Sequence, residues 1–151
     1  MSGIDALLDY IPIPPMARVR QIFERPTVED PAAECARLWN AAGLATRIPE
    51  GSEIAVAVGS RGIANLPAVV GAVVAELRKA GARPFIIPAM GSHGGATAEG
   101  QKALLARLGI DEASVGAPVR SSMDVVQIAS SPRFGMPVYV MPWPWPPTAL
   151  L

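Results

Sequence analysis

Two short segments of this sequence carry the residues best suited to chemistry. Gly59-Ser60-Arg61-Gly62 and Gly91-Ser92-His93-Gly94 share one pattern, Gly-Ser-X-Gly, with a potential cation at X. Arginine presents a planar fork of donors that matches a carboxylate. Histidine is the side chain best suited to take and return a proton near neutral pH. Together such a pair could hold a hydroxy acid by its carboxylate and draw the proton from its hydroxyl. His93 is the single histidine of the chain and lies among glycines rather than on an apolar face. Plainer readings stand beside this one. Arg61 also fits a solvated loop, and His93 a structural loop residue. Ser60 and Ser92 fit strand-to-helix caps as well as ligand contacts. Neither turn matches the dinucleotide fingerprint or the phosphate-binding loop. No aspartate or second histidine accompanies Ser92, so a hydrolase triad is not supported. No Cys-x-x-Cys or His-x-x-x-His pair exists, so the chain does not encode a metal site by itself.

The elements that must position these turns are legible in the flanking residues. Ile54–Val58 is an unbroken apolar run, as in a strand buried on both faces. Pro67–Ala80 follows as a helix, with Val69, Val70, Val73, Val74 and Leu77 at helical spacing and Gly81 at its C-terminal end. Pro84–Pro88 predicts a second buried strand. Thr97 caps a helix that runs to about Leu108, with Leu104, Leu105 and Leu108 inward and Gly109 closing it. Val125–Ile128 and Val138–Val140 are further strand candidates. Upstream, Met16–Phe23 alternates as a short strand would, and Pro31–Leu44 reads as a helix with Ala36, Leu38 and Trp39 as its buried stripe. The order predicts an α/β fold: a parallel βαβ sheet with right-handed crossovers and helices on both faces. If the first two strands are neighbours, both turns lie at the C-terminal edge of the sheet, where ligands bind in open α/β folds. Arg61 and His93 would then face one crevice, where glycines allow close backbone approach and helix N-termini add positive partial charge.

Composition narrows the function classes. The chain has 151 residues, enough for one ordinary domain, and half of them are hydrophobic. Lysine plus arginine number 13 and aspartate plus glutamate number 13, which leaves no basic field for nucleic acid or an anionic membrane. The one cysteine, Cys35, excludes an internal disulfide and fits a small, partly buried apolar residue of a helix. The start Met1-Ser2-Gly3-Ile4-Asp5 has no secretory pattern, and the uncharged stretch Gly62–Ala75 is too short to span a membrane. A cytoplasmic protein is the expectation.

Beyond these readings, Gly59-Ser60-Arg61-Gly62-Ile63-Ala64-Asn65 and Pro88-Ala89-Met90-Gly91-Ser92-His93-Gly94-Gly95-Ala96-Thr97-Ala98-Glu99-Gly100-Gln101 resemble the N-terminal domain of the lactate racemase family. The likeness runs over about residues 16–140, roughly the first third of a two-domain member. What it implies is an isomerase that racemises or epimerises 2-hydroxy acids with a nickel pincer nucleotide. In that family a histidine takes the proton of the substrate hydroxyl, the α-hydrogen moves to the cofactor as hydride, and a 2-keto acid forms. Hydride then returns to the other face, which a second histidine serves. By position, His93 matches a catalytic histidine and Arg61 the arginine that holds the substrate carboxylate. Ser60, Gly91, Ser92, Gly94 and Gly95 are expected at the cofactor. Ser60 stands where lactate racemases usually carry threonine.

The likeness has departures. Lactate racemases tend to carry an acidic residue shortly before the arginine, where this chain has Val58-Gly59, and an arginine after the histidine, where it has Gly94. A bulkier or differently charged 2-hydroxy acid is therefore as well suited as lactate. The family continues with an Asn-Arg-X-Lys-Pro-His block, a cofactor-attaching lysine, a nickel-binding histidine and a second domain, none of which this sequence contains. Residues 1–15 read as an irregular segment, and residues 141–151 as an aberrant Pro/Trp-rich tail that cannot continue a central strand. Read from the third base of codon 140, that tail becomes compatible with the Asp-Ala-x-Ala-x-x-Ala-Asp-Gly stretch the family carries. The expectation is a frameshifted, incomplete N-terminal domain that is inactive alone. A different class stays open: a non-catalytic α/β module that binds a carboxylate or nucleotide ligand in the Arg61/His93 crevice. So does a fragment without function.

Overall fold

The computed structural model of the chain describes residue 12 and residues 15–24 and 26–142. Helix α1 (Pro31–Ala41) opens at Asp30, whose carboxylate accepts from the Ala32 and Ala33 N–H groups at 2.9 and 3.0 Å. Its proline sits in the first turn, where no N–H is needed. A 3-10 turn (Leu44–Arg47) leads to strand β1 (Glu53–Val58). Helix α2 (Leu66–Lys79), strand β2 (Arg83–Pro88), helix α3 (Ala98–Arg107) and the short helix α4 (Glu112–Val115) follow. Strands β3 (Val126–Ser130) and β4 (Pro137–Val140) close the described order.

As the two apolar runs predict, β1 and β2 are adjacent and parallel, in register from Glu53 opposite Arg83 to Val58 opposite Pro88. α2 makes the crossover and is turned back by Gly81, which holds φ 82° just past the helix end. Residues 117–120 lie along the other edge of β2. The Ile86 N–H donates to the Pro118 carbonyl at 2.9 Å, and the Arg120 N–H donates to the Ile86 carbonyl at 2.9 Å. This third parallel contact is one the sequence analysis does not anticipate, because Pro118 lacks an N–H and breaks any strand pattern. A proline can still accept through its carbonyl at a sheet edge.

Strand alternation sorts the sheet into two faces. Val56, Val58 and Ile86 share one face and meet Val70 and Val74 of α2, Leu105 of α3 and Val115 of α4 in a single buried cluster. The other face carries Ala55, Phe85 and Ile87. There the Arg120 guanidinium lies 4.3 Å from the Phe85 ring centroid and reaches Glu53 Oε1 at 3.2 Å. The molecule is thus mixed α/β, with a small parallel sheet whose helices join one core.

Several local expectations change. Residues 16–23 form no strand, and Met16, Val19 and Ile22 are exposed, since among the described residues nothing pairs with them. In α1, Ala36 and Trp39 are half-buried but Leu38 is exposed, because α1 meets the molecule through α2 on one narrow side. Cys35 is half-buried, as expected. β3 and β4 pair with each other, antiparallel, and not with the parallel sheet. The link between Ser130 and Pro137 is too short for a parallel crossover, so a hairpin is the connection it permits. Residues 1–11 and the tail beyond Pro142 lie outside the described residues. No helix among the described residues is long and apolar enough to cross a membrane.

Candidate functional site

β1 and β2 end side by side, so the turns that follow them start side by side. The Ala89 N–H donates to the Val58 carbonyl at 2.8 Å, carrying the pairing one step past the strands. Met90 is buried in the core and anchors the second loop. The His93 N–H then donates to the Met90 carbonyl at 3.2 Å, and the Ala96 N–H to the Ser92 carbonyl at 3.1 Å, which wind the chain into the 3-10 turn Gly94–Ala96. Thr97 caps α3 through Gly100 N–H at 3.1 Å, as its position before that helix predicts.

Two further contacts hold this loop against α3. The Gln101 amide, buried within the helix, donates to the Gly91 carbonyl at 2.7 Å. Gly94 holds φ 66°, and a Cβ on it would lie 2.6 Å from Gln101 N and from Gly100 C. A Cβ on Gly100 would in turn run into the Gly94 carbonyl. The glycine after the histidine therefore has a packing cause of its own, and an arginine there would not fit. Gly91 and Gly95 also hold positive φ, with open space around the Cβ position.

The two loops touch through their side chains. Ser60 Oγ lies 2.5 Å from His93 Nδ1, a contact between residues 33 apart in the chain. Ser60, Arg61 and His93 line a cleft of about 330 Å³ whose apolar wall includes Ile63, Ala89 and Met90. Ser60 is half-buried, while Arg61 and His93 are exposed. No hydrogen bond or ion pair engages Arg61 among the described residues. The structure thus brings Ser60, Arg61 and His93 together. Ser92, Gly94 and Gly95 belong to the same loop without lining this cleft, and Gly91 borders a neighbouring hollow beside Gln101 and Ser121.

A larger hollow, about 420 Å³, lies along the outer edge of residues 119–122 with Glu99 and Lys102. Size alone favours it, but it lacks a histidine and its lining includes a carboxylate, Glu99, beside Lys102 and Arg120. The smaller cleft holds the imidazole and a cation with no partner among the described residues, which makes it the stronger candidate site. Among the described residues no group of three His, Cys, Asp or Glu side chains could hold a metal ion. Sequence reasoning did not foresee the Ser60–His93 pair or the Gln101 tether. The signal for the first lies in the matched Gly-Ser-X-Gly turns, which put the serine of one loop within one position of the point equivalent to the histidine of the other. Comparison with protein-family models, curated proteins and solved structures finds no match.

Proposed function

We propose that this chain is the substrate-facing domain of a cytoplasmic 2-hydroxyacid racemase or epimerase of the lactate racemase type. The observation that carries the reading is the Ser60–His93 contact, which joins the two Gly-Ser-X-Gly loops into one cleft with Arg61. In the proposed reaction Arg61 pairs with the substrate carboxylate, a group that does not react. His93 takes the proton of the hydroxyl on C2 and later returns it. Ile63, Ala89 and Met90 offer the apolar wall for the rest of the acid, and the cleft volume lies in the range of small-molecule sites.

The resemblance also implies a nickel pincer nucleotide. The described residues do not supply the donor cluster that would hold its metal, so no step is routed through it. In the proposal its ligands come from another polypeptide segment. The same proposal places helices over the second sheet face, where Ala57 is exposed and Ile87 half-buried.

The direct test is to titrate the isotope-labelled 151-residue protein with D- and L-lactate and with larger 2-hydroxy acids. Amides of residues 59–62 and 91–95 should respond, and Arg61→Ala should remove the response. Titration that leaves both loops unmoved for every acid tried would overturn the proposal. Binding that also occurs for carboxylates without a hydroxyl, with no turnover in a cofactor-supplied enzyme containing this domain, would assign a binding module instead.

A further inference from the structure

A hydroxyl beside an imidazole can donate to a bare ring nitrogen or accept from a protonated one, and the choice decides what the other nitrogen can do. If Ser60 donates to Nδ1 of His93, the neutral ring carries its proton on Nε2, which then cannot take another. If Nδ1–H donates to Ser60 Oγ, Nε2 keeps a lone pair. No described residue hydrogen-bonds Nε2, and the ring is exposed at the cleft, so Nε2 is the atom left for a ligand. Ser60 directly precedes Arg61, and both side chains line that cleft.

We infer that a carboxylate seated on Arg61 sets the tautomer of His93 through the Ser60 hydroxyl. This rests on the reading of Arg61 as the carboxylate residue and His93 as the base. An ionised carboxylate only accepts hydrogen bonds, so it turns the Ser60 O–H towards itself. Ser60 Oγ then offers only lone pairs to Nδ1, 2.5 Å away. Nδ1 must bear the ring proton, which it gains from water as Nε2 gives one up, and the ring stays neutral. Nε2 now accepts the proton of the substrate hydroxyl, forming an imidazolium, and the reverse transfer restores the neutral ring. Ser60 is thus a positioning residue that makes the base ready when an acid is in place. A simple alcohol, lacking the carboxylate, leaves the hydroxyl free to donate to Nδ1 and the base blocked.

The single histidine of the chain makes the tautomer readable without assignment, from two-bond proton–nitrogen spectra of the 151-residue protein at a pH where the ring is neutral. Saturating lactate, and acetate as a bare carboxylate, should raise the ratio of Nδ1–H to Nε2–H forms by roughly tenfold, the scale of one hydrogen bond to a charged group. Propane-1,2-diol should leave it unchanged. Ser60→Ala should abolish the response, Ser60→Thr should retain it, and Arg61→Ala should move it to higher acid concentration. The amide spectrum of Ser60→Ala reports whether the fold is intact. An unchanged ratio with lactate bound at the loop amides would overturn the inference while the racemase reading stands, as would a wild-type response in folded Ser60→Ala. Failure of lactate and of every larger 2-hydroxy acid tried to bind would overturn both.

Discussion

At the scale of single residues, the proposed reaction gives Arg61 and His93 separable parts. In that proposal Arg61 holds a group that does not react, so Arg61→Ala should weaken carboxylate binding by about 1.5–3 kcal/mol, roughly 10- to 100-fold in Kd by titration. His93, in the same proposal, takes the proton that moves. In a cofactor-supplied enzyme containing this domain, His93→Ala should lower kcat by roughly 10²–10⁴-fold and change affinity little. Turnover that survives His93→Ala would make it a structural loop residue. Gly94 is the third decisive position. Alanine there would combine a left-handed φ with a collision against the first turn of α3, and should cost about 1–3 kcal/mol, read as a lower Tm. A full-stability Gly94→Ala protein would mean that the loop does not lie against α3 as described.

At the scale of elements, the helices were legible because their signals are local. The Val70/Val74/Leu77 spacing, the Thr97 cap and the glycines at 81 and 109 each act within one or two turns. α4 escaped notice because it is a single turn, yet it is held by a reciprocal cap. The Asp111 carboxylate accepts from Ser114 N–H at 2.8 Å, and the Asp111 N–H donates to Ser114 Oγ at 3.0 Å. The backbone hydrogen bond from Ser114, then that from its side chain, holds the Asp111 carboxyl below the usual aspartate value. The ionised form is therefore the one the fold favours. Its contribution is fully present above the ordinary aspartate pKa and is lost as pH falls through the lowered folded value. The Ser114 amide should stay protected against hydrogen exchange under mildly acidic conditions and lose protection at lower pH, ahead of the Ile86 amide in the sheet. Simultaneous loss at both amides would show that α4 opens only with the whole fold.

At the scale of the whole molecule, one cluster joins everything that positions the cleft. Leu105 is fully buried and ties α3 to the same core as Val70, Val74 and Ile86. Leu105→Ala should cost about 2–5 kcal/mol and should loosen the His93 loop through α3, visible as a lower Tm and weaker lactate binding together. An unchanged Tm would separate α3 from the core. On the proposed reading, the 151-residue protein supplied with cofactor should show no racemisation, because its single histidine can serve only one face of the substrate. Measurable turnover by this chain alone would refute its reading as one part of a larger active site.

What the amino-acid sequence determined by itself was the chain of strand, turn and helix around residues 54–108. Side-chain periodicity and backbone sterics act over a few residues and need no distant partner. It also determined that a cation and a proton acceptor follow successive strands. The adjacency of those strands was an inference from the βαβ order, and the parallel register bears it out. Only the tertiary structure decided which side chains meet. The Ser60–His93 contact depends on how far two loops lean towards each other, which follows from Met90 packing into the core and Gln101 holding Gly91. The edge role of residues 117–120 likewise depends on Ile86 offering its free N–H and carbonyl, a pairing that no local pattern around Pro118 encodes.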